Sequence, residues 1–81
     1  MDFPSIFPLK IMGANDDDFE SLVLEIVGKH ATLVGERTVS RRLSRGGRFL
    51  SLTVHIQAES QAQLDALYRE LSSHDRVLMM L

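Results

Sequence analysis

Five arginines, Arg37, Arg41, Arg42, Arg45 and Arg48, fall within twelve residues around the pair Gly46-Gly47. Guanidinium forks match carboxylates and phosphates, so this segment could bind phosphate, nucleic acid or a carboxylate-rich partner. The same charges suit a solvated hairpin whose edge strand is guarded against aggregation. A second candidate is Gly13-Ala14-Asn15, which precedes the acidic run Asp16-Asp17-Asp18. Backbone amides at a glycine turn and a helix N-terminus can hold a ligand carboxylate. The aspartates would repel an anion, and the same residues serve equally as a turn and helix caps. His30, His55 and His74 are far apart in sequence. His30 and His74 close two predicted helices, where an imidazolium suits the dipole. A Ser–His pair with Asp75 has neither a nucleophile elbow nor an oxyanion turn to support it, and no HExxH zinc pattern is present. The acidic run lacks the alternating ligands and terminal glutamate of a calcium loop. The expectation is therefore no catalytic residue, no metal and no cofactor, and a protein that acts by binding.

Composition narrows this further. With no cysteine, the chain cannot use a disulfide framework, a thiol nucleophile or a cysteine-ligated metal. Its 81 residues suit a single domain. The opening has no basic segment followed by an apolar run, so it does not read as a signal peptide. No stretch approaches the length of a membrane span. A cytoplasmic protein is expected. The net charge of −2 gives no general attraction to nucleic acid. Phe49 is the only aromatic residue in the strand where an RNA-recognition domain would carry several, so a nucleic-acid partner is not expected.

The elements that position these residues follow from periodicity. Residues 1–6, with Pro4, form an extended lead-in. Phe7, Leu9 and Ile11 alternate with Pro8, Lys10 and Met12, giving a strand with one apolar face that ends at Gly13. Phe19, Leu22, Val23, Ile26, Val27 and His30 recur at helical spacing and predict a helix over 17–30, with Leu24 off the stripe and partly exposed. Residues 31–35 connect. Residues 36–44 alternate weakly, with Val39, Arg41 and Leu43 on one face, as in a charged edge strand. Arg45-Gly46-Gly47 is a turn. Leu50, Leu52, Val54 and Ile56 then define the clearest strand, over 48–58. Ser60 and Gln63 form a capping box. Leu64, Leu67, Tyr68 and Leu71 stripe the second helix, on which Asp65 and Arg69 form a pair worth about 0.2–0.5 kcal/mol. Residues 76–81 make a last, apolar strand at a sheet edge.

This β-α-β-β-α-β order predicts an α+β, ferredoxin-like sandwich: a four-stranded antiparallel sheet with two helices on one face. Alternation then assigns Lys10, Met12, Phe49, Ser51, Thr53 and His55 to the open face, together with Leu78 and Met80. The apolar members of that set are a candidate partner surface. The last strand could also pair with a second copy of the chain.

The segments 3–13, 46–54, 63–71 and 74–81 together resemble the YbeD-like proteins, small bacterial proteins without an established activity. The likeness covers nearly the whole chain. It departs at Ser5, where many of those proteins have cysteine, so a thiol role there could not operate here. The resemblance implies a fold similar to the amino-acid-binding ACT domains. It also implies a connection to lipoate metabolism, because such proteins tend to be encoded near lipoate genes. Two functions follow as expectations: a regulatory or adaptor protein that binds another protein, and a sensor of a small carboxylate such as an amino acid near Gly13.

Overall fold

The computed structural model describes residues 2–35 and 38–80. Two long strands form its centre: β1 (Ser5–Ala14) and β4 (Phe49–Ala58) pair antiparallel along their whole length, from Ser5 opposite Ala58 to Ala14 opposite Phe49. Strict alternation drives both. Leu9 and Ile11 of β1 and Leu50, Leu52, Val54 and Ile56 of β4 all turn to the same side and are buried. Helices α1 (Phe19–His30) and α2 (Gln61–Ser73) cover that side with Phe19, Val23, Ile26 and Val27 from the first and Leu64, Leu67 and Leu71 from the second. The buried core among the described residues is wholly apolar.

β5 (Val77–Met80) pairs with β1 on the side away from β4. The other edge of β4 is shared by two short strands, β2 (Thr32–Leu33) and β3 (Val39–Leu43). The sheet order is thus β2/β3, β4, β1, β5. This is the ferredoxin-like arrangement expected from the sequence, with its outer strand split in two.

The split differs from the single strand expected over 36–44. Residues 31–35 are not merely a connector: Thr32 and Leu33 already pair with Gln57 and Ile56. Strand pairing stops after Leu33 and resumes at Val39, and one residue of β4 bonds both sides of the break. Val34 N–H donates to the His55 carbonyl at 3.0 Å, and His55 N–H donates to the Thr38 carbonyl at 2.8 Å. Arg37 lies outside the described residues.

That pairing also explains Pro8. It sits directly opposite His55, whose backbone groups are both spent on the outer strand. Pro8 therefore points its backbone away from β4, where its missing N–H breaks no ladder bond. The lead-in is shorter than expected, because Ser5 and Ile6 are already in β1. At the other end β1 runs one residue past Gly13.

At α2 the Ser60 cap expected from the sequence forms, with the return bond from Gln63 falling one residue before the cap. Ser60 Oγ accepts from Gln63 N–H at 3.1 Å, and Gln63 Oε1 accepts from Glu59 N–H. Gln63 Nε2 also donates to the His30 carbonyl at the end of α1, at 2.9 Å. One capping residue thus fastens the two helices together. Asp65 does not meet Arg69; its carboxylate accepts instead from Gln61, one turn earlier. α1 starts two residues later than expected, at Phe19, and Asp18 at its cap makes no side-chain bond to the helix.

β5 brings the largest correction. Met12 faces Met79, but Gly13 faces Val77, so Leu78 is an inserted residue in a bulge. The insertion shifts alternation by one. Met80, expected on the open face, stands opposite Ile11 and packs against the core, while Met79 takes the open-face position beside Met12.

Candidate functional site

The structure gives Gly13, Ala14 and Asn15 structural work. A Cβ on Gly13 would lie 2.3 Å from Cε1 of Phe19 and 2.5 Å from the Arg76 carbonyl oxygen. The absent side chain is what lets the first helix's aromatic ring and the backbone entering β5 meet over β1. Ala14 is the last residue of β1, paired with Phe49. Asn15 joins this corner to the hairpin: its N–H donates to the Arg48 carbonyl and its side-chain amide to the Gly47 carbonyl, each at 3.0 Å. Arg76 answers the aspartates. Its guanidinium bonds both carboxylate oxygens of Asp18, the shorter contact being 2.7 Å, and reaches Asp16 at 3.4 Å. The turn, which the sequence offered both as a carboxylate site and as a plain turn with helix caps, is a packed corner with an ion pair across it.

The arginine cluster divides. Neighbouring residues of a strand face opposite ways. Arg41 turns to the helix side, where its guanidinium grips both carboxylate oxygens of Glu20 on α1. Arg42 stands opposite Ser51 and turns to the open face. Arg45 and Arg48 are exposed at the turn, where Gly46 and Gly47 both adopt positive φ, 83° and 71°. The two adjacent arginines, which alternation already set on opposite faces, therefore do different things.

On the open face, strand register sets the rows. Lys10, Thr53 and Ser40 lie side by side across β1, β4 and β3; Met12, Ser51 and Arg42 form the next row. A shallow groove of about 340 Å³ runs between these rows, bordered by Lys10, Ser40, Arg41, Arg42, Ser51 and Thr53. A second groove, about 180 Å³, adjoins it and is lined by Met12, Arg42, Leu43, Ser44, Phe49 and Ser51. Arg42 and Ser51 border both. One half is thus hydroxyl and cation, the other apolar. Ser40 was invisible as a site residue from sequence because β3 alternates weakly; its register against Thr53 is the signal that finds it.

His55 lies one row further, opposite Pro8, with its Nδ1 shielded and without a hydrogen-bond partner among the described residues. It meets neither a serine hydroxyl nor Asp75. His30 bonds Glu70 at 2.8 Å, where Lys29 also binds at 2.7 Å, tying α1 to α2. His74 accepts from Arg76 N–H through Nδ1. Among the described residues no three His, Asp or Glu side chains form a metal-ligand group, and no helix is long and apolar enough to cross a membrane.

The ion pairs leave a pH signature. Arg76 holds the Asp18 carboxyl below its ordinary value, Arg41 does so for Glu20, and Lys29 and then His30 for Glu70. A carboxylate depressed in the folded state stabilises above its unfolded value and loses that contribution as pH falls through the folded one. Ordinary values here are 3.8 and 4.5. The melting temperature is expected to hold from neutral to about pH 5 and to fall below it. The fall should be modest, since these groups are exposed, and smaller still in high salt. A melting temperature that rises on acidification would contradict these pairings.

A family model described as "Protein of unknown function (DUF493)" matches residues 1–81. A UPF0250 protein of Chromobacterium violaceum is 46% identical over 80 residues, covering 99% of this chain and 90% of its own. One from Nitrosomonas europaea is 44% identical over 81 residues, covering 100% of this chain and 93% of its own. One from Neisseria gonorrhoeae is 42% identical over 81 residues, covering 100% and 89%. With this likeness end to end, the chain belongs to the DUF493 family, the UPF0250 or YbeD-like proteins of bacteria.

Proposed function

We propose that the protein is a small cytoplasmic regulatory or adaptor protein that acts by binding another protein, not by catalysis, and that the open sheet face is its contact surface. The observation that carries this is the uncovered face itself. Helices bury one side of the sheet, while the other presents Met12 and Phe49 beside a polar groove, with Met79 next to Met12 and Ile6 62% exposed further along β1. Apolar side chains left on an uncovered sheet face commonly mark an interface. A small-carboxylate sensor of the ACT type would look instead to the Gly13 corner, where Phe19, Asn15 and Arg76 already occupy the available contacts.

The test uses the purified chain as bait in bacterial extract, beside a Met12→Asp/Phe49→Asp variant. Both positions are on the open face, so the variant should keep its fold by circular dichroism. A discrete partner captured by the parent and lost by the variant is the expected result. Capture that survives the variant would move the contact elsewhere. No partner, together with a clear thermal shift on adding an amino acid, lipoate or octanoate, would favour the sensor.

A further inference from the structure

We propose that the groove between Lys10 and Arg42 is an anion site that takes a side-chain carboxylate from an acidic segment of a partner protein. This rests on the open face being the contact surface, and names the chemistry it recognises.

The charge distribution is the first support. The chain holds eleven acidic residues against nine lysines and arginines, yet none of the five strands among the described residues contains an aspartate or glutamate. Among the described residues, acidic side chains are confined to helices, connections and the N-terminal end. The strands carry Lys10, Arg41 and Arg42. Arg41 is neutralised by Glu20 on the helix side. Lys10 and Arg42 remain on the open face, with no acidic neighbour in either row of the groove. A protein of net negative charge thus presents two cations and no carboxylate in these rows.

The groove's lining is the second. Ser40, Ser51 and Thr53 stand between the two cations. Hydroxyls donate to a carboxylate while Lys10 and Arg42 supply the charge, and a guanidinium can bind it through two nitrogens. The adjoining groove at Met12 and Phe49 would take an apolar side chain from the same segment. The chemistry read is therefore acidic with an apolar neighbour.

The same charges argue against a second copy as the occupant. Two open faces stacked together would set Lys10 and Arg42 against their own kind, and like charges brought together without counter-charge oppose association.

The probe is a blocked hexaglutamate peptide, titrated into the isotope-labelled full chain and followed by amide NMR, with hexaglutamine and inorganic phosphate as parallel arms. The expected result is perturbation centred on Lys10, Ser40, Arg42, Ser51 and Thr53 with hexaglutamate only, weakened by salt. Lys10→Glu/Arg42→Glu should weaken it at least about tenfold, since both cations meet the ligand directly. Their exposed positions make the fold safe, and Lys10→Gln/Arg42→Gln gives a milder second variant. Equal response to hexaglutamine, perturbation centred on Arg45 and Arg48, or indifference to these variants would each overturn the proposal. Saturation by phosphate at the same residues would replace the peptide carboxylate with a free oxyanion. If a captured partner depends on Met12 and Phe49 but not on Lys10, Arg42 or salt, the anion site fails while the binding function stands. If hexaglutamate binds but no partner is ever captured, the reverse holds.

Discussion

Gly13→Ala is expected to cost about 2–3 kcal/mol of stability, lowering the melting temperature by roughly 10–20 °C. One methyl group is a small change, and elsewhere in a strand it would help, since glycine loses the most freedom on folding. Here the methyl has nowhere to go. It would stand 2.3 Å from Cε1 and 2.5 Å from Cζ of Phe19, and 2.5 Å from the Arg76 carbonyl oxygen. The ring could rotate only within a core that contains Val23, Ile26 and Val27 of the same helix. The carbonyl belongs to the backbone leading into β5, and Gly13 faces Val77 across the bulge, so moving it means unpairing the edge. Phe19→Leu should therefore rescue only part of the loss. The double variant should be less destabilised than the sum of the two single changes, because they share one contact. Thermal melting of the three variants checks this. A Gly13→Ala protein that melts with the parent would show that the corner is loose and would reopen it to a ligand.

Most of the architecture was legible because one physical signal dominates each element. In β4, Leu50, Leu52, Val54 and Ile56 alternate without a break, and burial follows them. In α2, Ser60 and Gln63 announce the cap that forms. Weak or competing signals account for the rest. Thr32 and Leu33 are too few to show a period, so a strand two residues long read as a connector. Asn15 and the aspartates after it are good helix caps by local chemistry, yet Asp18 at the start of α1 makes no side-chain cap bond. A partner fifty-eight residues away, Arg76, takes its carboxylate instead. Spacing on the helix paired Asp65 with Arg69, but Gln61, one turn earlier, donates to its carboxylate instead. The candidate surface was half visible. Alternation placed Met12, Phe49, Ser51 and Thr53 on the open face and set Arg41 on the other side of β3 with Val39 and Leu43, but it could not show that Glu20 on α1 takes the Arg41 guanidinium. The lack of acidic residues in every strand can be read from the sequence once the strand boundaries are known.

Met80→Asp should destabilise by about 2 kcal/mol, whereas Met79→Asp should stay within about 0.5 kcal/mol of the parent. Simple alternation from the apolar run Val77-Leu78-Met79-Met80 gives the opposite order, with Met80 outward and harmless. The bulge at Leu78 reverses it. Met80 stands opposite Ile11, whose side chain is fully buried, and joins the core from its edge. A carboxylate there loses water without gaining a partner, since no lysine or arginine occupies β5 or the facing Ile11, Met12 and Gly13. Met79 stays 49% exposed beside Met12, so an aspartate at that position keeps its hydration. Met80→Leu, which nearly conserves volume, should be close to neutral and separates lost packing from buried charge. Denaturant midpoints for the three proteins decide the matter; a larger loss from Met79→Asp would place β5 in the unbulged register. The comparison also guards the functional reading. Met80→Asp weakens the fold and so cannot serve as a probe of partner binding, while Met79→Asp leaves the fold intact and alters the open face next to Met12. A binding defect in the second variant, with unchanged stability, is an effect of the surface itself.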